Sequence, residues 1–470
     1  MKTHPVTTNV HTEEELYGHI FPSPSQPTRE FILNGPTYEE VHRLAAGICR
    51  LPPSRRKGHS LICLCTDDKA LIASALVASL AGGPCPVLPF AFSRQALEEV
   101  METVPLSFVL TDRPGDFPPG PEVILPSALY CDSVMPDIFL NPDEPFLMLF
   151  TGGSTGKPKV WSKTPRNIFA EARYLSTKFG ITSDDLFLST VPPHHIYGLL
   201  FSVMLPFICK AQVLGGSYTF PGEILRNAQD HEASILVGVP AHYRALKVDD
   251  LQRHNFRMAF SSAGALDKED AAYFYDKTGL DITEIYGSTE TGGVATRRRS
   301  KDGEIWRPMD PVDCRLREGR LHVRSAFISP TLPRDADGFF ATADRAESAG
   351  DDRFVLQGRA DDIVKVGGKR VDLAEVQAKI KQIPGVRDAV VIPIPAGKGR
   401  QNELAALVAT HLDARELRLH LAAVSEAYAV PKRIAVVEEI PLTPAGKYDR
   451  TMIERILLSG KQKAGMAKSV

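Results

Sequence analysis

The sequence predicts an α/β protein with a large N-terminal domain, rich in parallel sheet with flanking helices and a small β-barrel, and a small α+β C-terminal domain. Three observations carry that reading. The chain has 470 residues, too many for one ordinary core, so two or three domains are expected. Short apolar runs alternate with longer helix-period segments over most of its length, as in parallel sheets covered on both faces. After about residue 300 the texture changes, first to short turn-punctuated strands and then to a compact mixed unit.

The elements follow in order. HSLICLC (59–65), GPCPVLP (83–89), LSFVLTD (106–112) and PFLMLF (145–150) read as buried strands, separated by helical DKALIASALVASLA and SRQALEEVMETV. KAQVLGG, ASILVGVP and RMAFSSAG continue the pattern. RLHVRS, GFFATAD and DRFVLQGR suit a small antiparallel barrel. From about residue 363, VDLAEVQAKIKQIPG and ARELRLHLAAV read as helices, and DAVVIPIP and ELAALVAT as strands. The longest apolar stretch, LIASALVASLAGGPCPVLPFAF, is broken by Gly and Pro into a buried helix, a turn and a strand, so no membrane span is expected.

Composition narrows the function. Hydrophobic residues make up 43% and charged residues 24%, and a formal charge of −2 gives no global case for nucleic acid. The N-terminus has acids and a proline where a signal peptide needs an apolar run, and the odd number of cysteines, seven, shows no CxxC spacing. Reduced cysteines in a cytoplasmic protein are the simplest account, with Cys63 and Cys65 on one strand face.

The stretch TGGSTGKPK (151–159) follows an apparent strand and packs glycines, hydroxyls and lysines, the composition that wraps an anion with backbone N–H groups. It is not a Walker A loop: only three residues separate Gly152 from Gly156, and Pro158 follows Lys157 where a hydroxyl is needed for Mg²⁺. Taken alone it also fits a surface turn. In EIYGSTETGG (284–293), Tyr286 offers a face for a purine, Thr289 a hydroxyl and Glu290 a carboxylate for the Mg²⁺ of a nucleotide, though a solvated turn explains it as well. Asp344 and Arg359, in the region 338–371, suit ribose hydroxyls or an ordinary strand end and surface. Lys447 sits in the proline-punctuated loop PLTPAGKYDR (441–450), which would present one charged tip.

Together, in this order and spacing, the four stretches resemble the adenylate-forming superfamily of acyl-CoA synthetases, nonribosomal peptide adenylation domains and luciferases. The resemblance runs from about residue 35 to 455 and includes VPPHHIYGL (191–199), ASILVGVPAHYRAL and SSAGAL (261–266). It implies an N-terminal domain over 1–357, a hinge at 358–362 and a mobile lid domain over 363–470. The family's phosphate loop matches Thr151, Gly152, Gly153, Ser154, Thr155, Gly156 and Lys157, joined by Thr289. Its adenine and ribose contacts match Gly264, Ala265, Tyr286, Asp344 and Arg359, its Mg²⁺ ligand Glu290, its hinge acid Asp361 and its catalytic lysine Lys447. The acid pocket matches His195, with His194 the local competitor, and Val237, Gly238, Ser261, Ser262, Ala263 and Gly287. Lys365, Gly367 and Gly368 match a pantetheine passage, although the two glycines equally fit a tight strand turn.

Three positions depart from the family pattern: Val160 for a glycine, Pro165 for a histidine and Ala343 for the glycine of the ribose motif. They spare the groups that donate or carry charge. The implied activity is an AMP-forming acid–thiol ligase, using ATP and Mg²⁺ and passing the acyl group to CoA or a phosphopantetheine-bearing protein. Small residues and one histidine in the acid pocket suit an aromatic, hydroxybenzoate-like acid or a short-to-medium acyl group, and no Asp stands in 191–199 to hold an amino acid's ammonium. A compact chain resembles ligases that load acyl carrier proteins in pigment pathways such as aryl polyenes. The basic runs SRRK (54–57) and RRRSK (297–301) also fit plain solvated surface, but with the pair Lys369–Arg370 and the compact chain they tilt the expected acceptor slightly towards an acyl carrier protein. The alternatives are a medium- or long-chain fatty acyl-CoA synthetase, a phosphoryl-transferring NTPase, and a pseudoenzyme that only binds nucleotide.

Overall fold

The computed structural model describes residues 28–52, 60–113, 115, 117–130, 135–136, 140–151, 158–247, 251, 253–366, 369–395, 402–443 and 446–465. Side chains are described for all of these except 361, 363, 365, 369, 370, 402, 423 and 459–465. The chain divides into two units, Met1–Cys314 with Val323–Phe340, and Arg315–His322 with Ala341–Val470. The second unit therefore takes in 341–362, which the motif reading assigns to the N-terminal domain and hinge.

The first unit holds two sheets. One is built from β1 (Leu61–Leu64), β2 (Cys85–Leu88), β3 (Phe108–Leu110), β4 (Glu122–Ile124), β5 (Leu147–Thr151) and β6 (Lys159–Lys163), in the order β4-β3-β1-β2-β5-β6. All its pairs are parallel except β5–β6. The expected strands are these, and they read as unbroken apolar runs because helices cover them: β1, β2 and β3 are buried at every position. The helix Lys69–Leu80 is also buried all round, and Asp68 caps it by accepting from the Leu71 N–H. Its one cation, Lys69, is accommodated because its Nζ donates to the carbonyls of Leu214, Gly215 and Gly216 at 2.7–2.8 Å.

The other sheet comprises β7 (Leu186–Ser189), β8 (Gln212–Val213), β9 (Ile235–Gly238), β10 (Met258–Ser261), β11 (Ile282–Ser288), β12 (Gly292–Arg298) and β13 (Arg307–Pro308), ordered β13-β12-β11-β10-β9-β7-β8. The β8-β7-β9-β10-β11 run is parallel, and β12 and β13 add antiparallel at one edge. The parallel strands end together, so the stretches after β9 and β10 and the end of β11 converge, the usual place for a ligand on such a sheet.

The turn-punctuated segments form a four-stranded sheet, β14 (Asp313–Arg317), β15 (Arg320–Arg324), β16 (Phe340–Ser348) and β17 (Phe354–Arg359), in chain order; the division between units falls within β14 and β15 and after the first residue of β16. These are the segments expected as a small barrel. The remaining strands are β18 (Ile363–Val366), β19 (Lys369–Asp372), β20 (Val386–Pro395), β21 (Asn402–Thr410) and β22 (Arg433–Val437), ordered β19-β18-β21-β20 with β22 also on β21. Alternate residues of β21 serve two cores. Leu404, Ala406 and Val408 pack with Val376, Ile380, Leu417 and Leu421 of the helices Leu373–Lys381 and Ala414–Val424. Ala405, Leu407 and Ala409 pack with Ile453 and Leu457 of the helix Arg450–Gly465.

The six described cysteines form no disulfide with one another, and Cys63 and Cys65 do lie on one face, with sulfurs 3.8 Å apart. No helix among the described residues is long and apolar enough to cross a membrane.

Candidate functional site

The best-defined part of the site in the first unit is the turn between β11 and β12. A bulge at Tyr286/Gly287 breaks the register of this antiparallel pair and re-aims the chain. Gly287 cannot carry a side chain, since a Cβ there would lie 2.2 Å from the Gly292 carbonyl oxygen. Tyr286 is half-buried, its ring 5.6 Å from Trp306, which backs it. Ser288 and Thr291 bracket the turn, the Ser288 N–H donating to Thr291 Oγ1 and the Thr291 N–H to Ser288 Oγ. Thr289 and Glu290 are the two residues within this bracket, and both are half-buried.

Beneath the turn lies a polar cluster that motif reading missed. Lys163, 1% exposed at the end of β6, donates from Nζ to the carbonyls of Glu290 at 3.3 Å and Phe327 at 3.1 Å. Glu171, 3% exposed in the helix Pro165–Phe179, accepts from the Gly293 N–H at 2.8 Å. Burial pushes the lysine down and the carboxyl up, and the opposite charges of Lys163 and Glu171 act against both shifts. In the sequence they appear only as the last residue of KVWSK and a Glu within the helix PRNIFAEARYLSTKF.

The loop after β10 lies beside this turn. Ser262 donates to the Ile285 carbonyl at 2.8 Å, tying the SSAGAL segment to β11. Ala263 is exposed and has φ +69°, a left-handed conformation that costs a non-glycine residue. Gly264 and Ala265 are exposed, while Ser261 and Val237 are fully buried. The Ser261 hydroxyl has no hydrogen-bond partner. Gly238 pairs with Ser261 across β9 and β10, but a Cβ on it would meet the Tyr243 ring at 3.1 Å, so a side chain there presses on the core tyrosine.

The two histidines of VPPHHIYGL separate. His194 is 8% exposed and its Nδ1 lies 3.0 Å from Asp67, which Arg113 also contacts at 3.2 Å. Burial raises the Asp67 carboxyl, but His194 and Arg113 outweigh it and hold it below the usual range. His195 is half-buried at the N-cap of the short helix Ile196–Leu199, its ring 4.4 Å from that of His194. Asp67 was not singled out; its signal was the TDD following β1.

Thr151 ends β5 and its hydroxyl accepts from Trp161 Nε1 at 3.1 Å. Residues 152–157, with Gly152, Gly153, Ser154, Thr155, Gly156 and Lys157, lie outside the described residues. The flanking strands β5 and β6 are antiparallel partners with Thr151 opposite Lys159, so this stretch joins two strands and does not lead into a helix as a Walker loop would.

In the second unit Asp344 and Arg359 are register partners on β16 and β17, with a guanidinium–carboxylate separation of 3.6 Å. Asp361 is in the one-turn helix Ala360–Asp362 and Lys365 in β18; their side chains, and Gly367 and Gly368 altogether, lie outside the described residues. Lys447 is exposed on a tight loop whose ends bridge through Leu442 and Tyr448. The Thr443 N–H donates to the Lys447 carbonyl at 2.7 Å, and Gly446 takes φ +72°. Tyr448 anchors the loop: its hydroxyl donates to Asp388 at 2.8 Å, which Lys381 meets at 2.6 Å.

One expectation is corrected. The basic tract RRRSK does not present a row of free arginines. Arg297 is 4% exposed, forks onto both oxygens of Glu284 at 2.8 and 2.9 Å, and stacks over Trp306 at 4.2 Å. Arg299 is 10% exposed and held by Glu284 and Glu304. Arg297 and Arg298 end β12, so they turn to opposite faces and Arg297 points inward, where Glu284 is 2% exposed and needs the charge; Arg299 begins the short helix Arg299–Asp302 and reaches the same carboxylate from there. Arg298 remains exposed. SRRK (54–57) and the Lys369–Arg370 side chains lie outside the described residues.

In the first unit, then, the strands of an open parallel sheet converge on a bracketed turn that carries one carboxylate, and in the second an exposed lysine follows a hydrogen-bonded turn. The family described as "AMP-binding enzyme" matches residues 37–322, and "AMP-binding enzyme C-terminal domain" matches 375–447. The chain belongs to this adenylate-forming AMP-binding enzyme family. It is 28% identical over 345 residues to a sulfoacetate–CoA ligase of Cupriavidus necator, covering 66% of this chain and 67% of that one. It is 27% identical over 350 residues to an anthranilate–CoA ligase of Pseudomonas aeruginosa, covering 67% and 68%. The ATP-bound structure of MatB from Rhodopseudomonas palustris superposes with TM-score 0.79 at 19% identity, covering 93% of this chain and 97% of that one, and so shares the fold.

Proposed function

We propose that the protein is an ATP-dependent, AMP-forming acid–thiol ligase that joins a carboxylic acid to CoA through an acyl adenylate. The observation that carries the proposal is the bracketed turn Ser288–Thr291, which fixes the backbone of Thr289 and Glu290 where the strand ends converge. The relatives that match most of the chain are named as CoA ligases, which supports the thiol step.

Two anions must meet, the acid's carboxylate and the α-phosphate of ATP, so the residues' task is to neutralise charge and align the reactants. Tyr286, stiffened by Trp306, offers the adenine a face, and Asp344 and Arg359 offer the ribose one acceptor and one donor group. Thr151, Thr289 and residues 152–157 take the phosphates. Glu290 suits Mg²⁺: no group of three or more His, Cys, Asp or Glu poised for a metal occurs among the described residues, and Mg²⁺ is held by one or two carboxylates together with substrate phosphates and water. When bound, Mg²⁺ withdraws charge from the departing pyrophosphate. Lys447 neutralises the reacting oxygens in the adenylation half-reaction. Asp361 is the pivot about which the small domain exchanges Lys447 for Lys365, Gly367 and Gly368 in the thiol step. His195, and not the Asp67-bound His194, faces the acid, with Val237, Ser261, Ser262, Ala263 and Gly287 around it.

The acid is a small polar or aromatic one. The relatives' named acids, sulfoacetate and anthranilate, fit that size, and the buried Ser261 hydroxyl with no partner offers it a hydrogen bond. CoA is the acceptor in this proposal because two arginines of the tract that would have greeted a carrier protein are engaged with Glu284. A panel of carboxylic acids in a pyrophosphate-release assay, with AMP and ADP resolved, tests the reading. Acid-dependent AMP and pyrophosphate, then acyl-CoA, support it; ADP formation, or no acid dependence across the panel, overturns it. Faster transfer to a holo carrier protein than to CoA overturns the choice of acceptor alone.

A further inference from the structure

The buried pair Lys163 and Glu171 takes no part in the chemistry just described, yet it touches the turn that carries Glu290 from two directions. We infer that Lys163 and Glu171 are positioning residues that hold the Thr289–Glu290 turn in register with the strand leaving the phosphate loop, and so set the enzyme's response to Mg²⁺–ATP. The inference rests on the nucleotide-site reading proposed above.

The geometry is specific. Lys163 is the last residue of β6, the strand that follows 152–157, and its Nζ grips the Glu290 carbonyl, which also accepts from the Ser329 N–H at 2.8 Å. One ammonium thus joins the strand on one side of the phosphate loop to the backbone of the metal-binding carboxylate. Its second bond, to the Phe327 carbonyl, fixes the segment from which Ser329 donates. Asn167, just after β6, holds the same segment through the carbonyls of Ala326 and Ile328 at 2.7 and 3.1 Å. From the other end, Glu171 accepts from the Gly293 N–H, and the space is so close that a Cβ on Gly292 or Gly293 would lie 2.6 or 2.8 Å from its carboxylate. Glycines there let Glu171 reach the backbone directly.

A charge buried without a specific task is costly, since well-packed apolar residues fill the same space without the desolvation penalty. Here both Lys163 and Glu171 spend their hydrogen bonds on backbone at or near the turn. That is the arrangement expected if the bonds serve to place a loop.

Titration calorimetry of ATP with Mg²⁺ and with excess chelator separates placement from general folding. Wild type is expected to bind ATP at least tenfold more tightly with Mg²⁺. Lys163→Met should lose most of that gain while affinity for metal-free ATP and KM for the acid change less than threefold. Glu171→Gln keeps an acceptor for Gly293 and should retain the gain; Glu171→Met has none and should lose it. Variants that fold and keep the full Mg²⁺ gain overturn the inference, as does an equal loss of metal-free ATP and acid binding. If the variants fail to fold, amide exchange of the wild-type segment 288–293 decides, and exchange there at the unprotected rate overturns the inference. A wild type that shows no ATP binding refutes the nucleotide-site reading itself.

Discussion

Lys447, the proposed catalytic lysine, is exposed beside a hydrogen-bonded turn. The loop closes through Thr443 and Gly446, and the neighbouring half-buried Tyr448 donates to Asp388. Lys447→Ala should leave the fold intact and slow adenylation by several orders of magnitude, since a positioned charge of this kind contributes about 3–4 kcal/mol to a transition state. Acid-dependent ATP–pyrophosphate exchange measures that loss; thioester formation from pre-made acyl adenylate should persist, and an equal fall in both steps would refute a lysine specific to one half-reaction. His242 makes a different residue-scale prediction. Burial pushes it down to about 4, and its Nδ1 lies 2.6 Å from Thr190 Oγ1. Because the folded value lies below the unfolded 6.5, the unfolded chain takes the proton first as pH falls. Stability from this group is whole above pH 6.5 and drains away down to about pH 4, by roughly 3 kcal/mol in all. His242→Asn should flatten the pH dependence of urea unfolding in that window, and an unchanged slope would show that His242 is not responsible.

The element that changed most between expectation and structure is β12. Its arginines looked like a docking tract, but a strand sends alternate residues to opposite faces, and Glu284 on β11 meets Arg297 across the pair. Arg297→Ala leaves a buried carboxylate short of its forked partner and strips the cation from Trp306, so it should cost about 3–5 kcal/mol in denaturant unfolding. Arg298→Ala, on the exposed side, should stay within ~0.5 kcal/mol. Arg298→Ala should also leave turnover with CoA unchanged; a marked fall with carrier protein alone would restore the docking surface at that residue. The β9 strand carries a related lesson. Gly238 was expected to open room for the acid, yet its missing Cβ points at Tyr243, whose hydroxyl donates to the Phe260 carbonyl at 2.6 Å. A bulky residue there would disturb the core before it reshaped the pocket.

For the whole molecule, the proposed two-step reaction requires two arrangements of the domains. Asp361 lies in a single turn of helix between β17 and β18, a short connection suited to a pivot. Asp361→Pro fixes φ near −65° at that point. Adenylation should continue while transfer to CoA drops, as read by single-turnover assays of each step; wild-type transfer would place the pivot elsewhere. The architecture itself was legible before any coordinates. Alternating strand and helix periods are local signals, and β1, β2, β3, β5, β9 and β10 fall where the apolar runs predict them. The motif residues were legible for the same reason, being contiguous stretches: Tyr286, Thr289 and Glu290 in one, Lys447 in another. Even the Asp344–Arg359 pair, chosen as two ribose contacts, proves to be cross-strand partners. What local pattern could not reveal were contacts between distant segments. Lys163 meets Glu290 across 127 positions, and His194 meets Asp67 across the same separation. A lone charged residue carries no periodic signal, so whether it is solvated or buried against a functional turn depends on which strands become neighbours. The order of strands in the sheets decided that, and with it which arginine faces water and which histidine is held by Asp67.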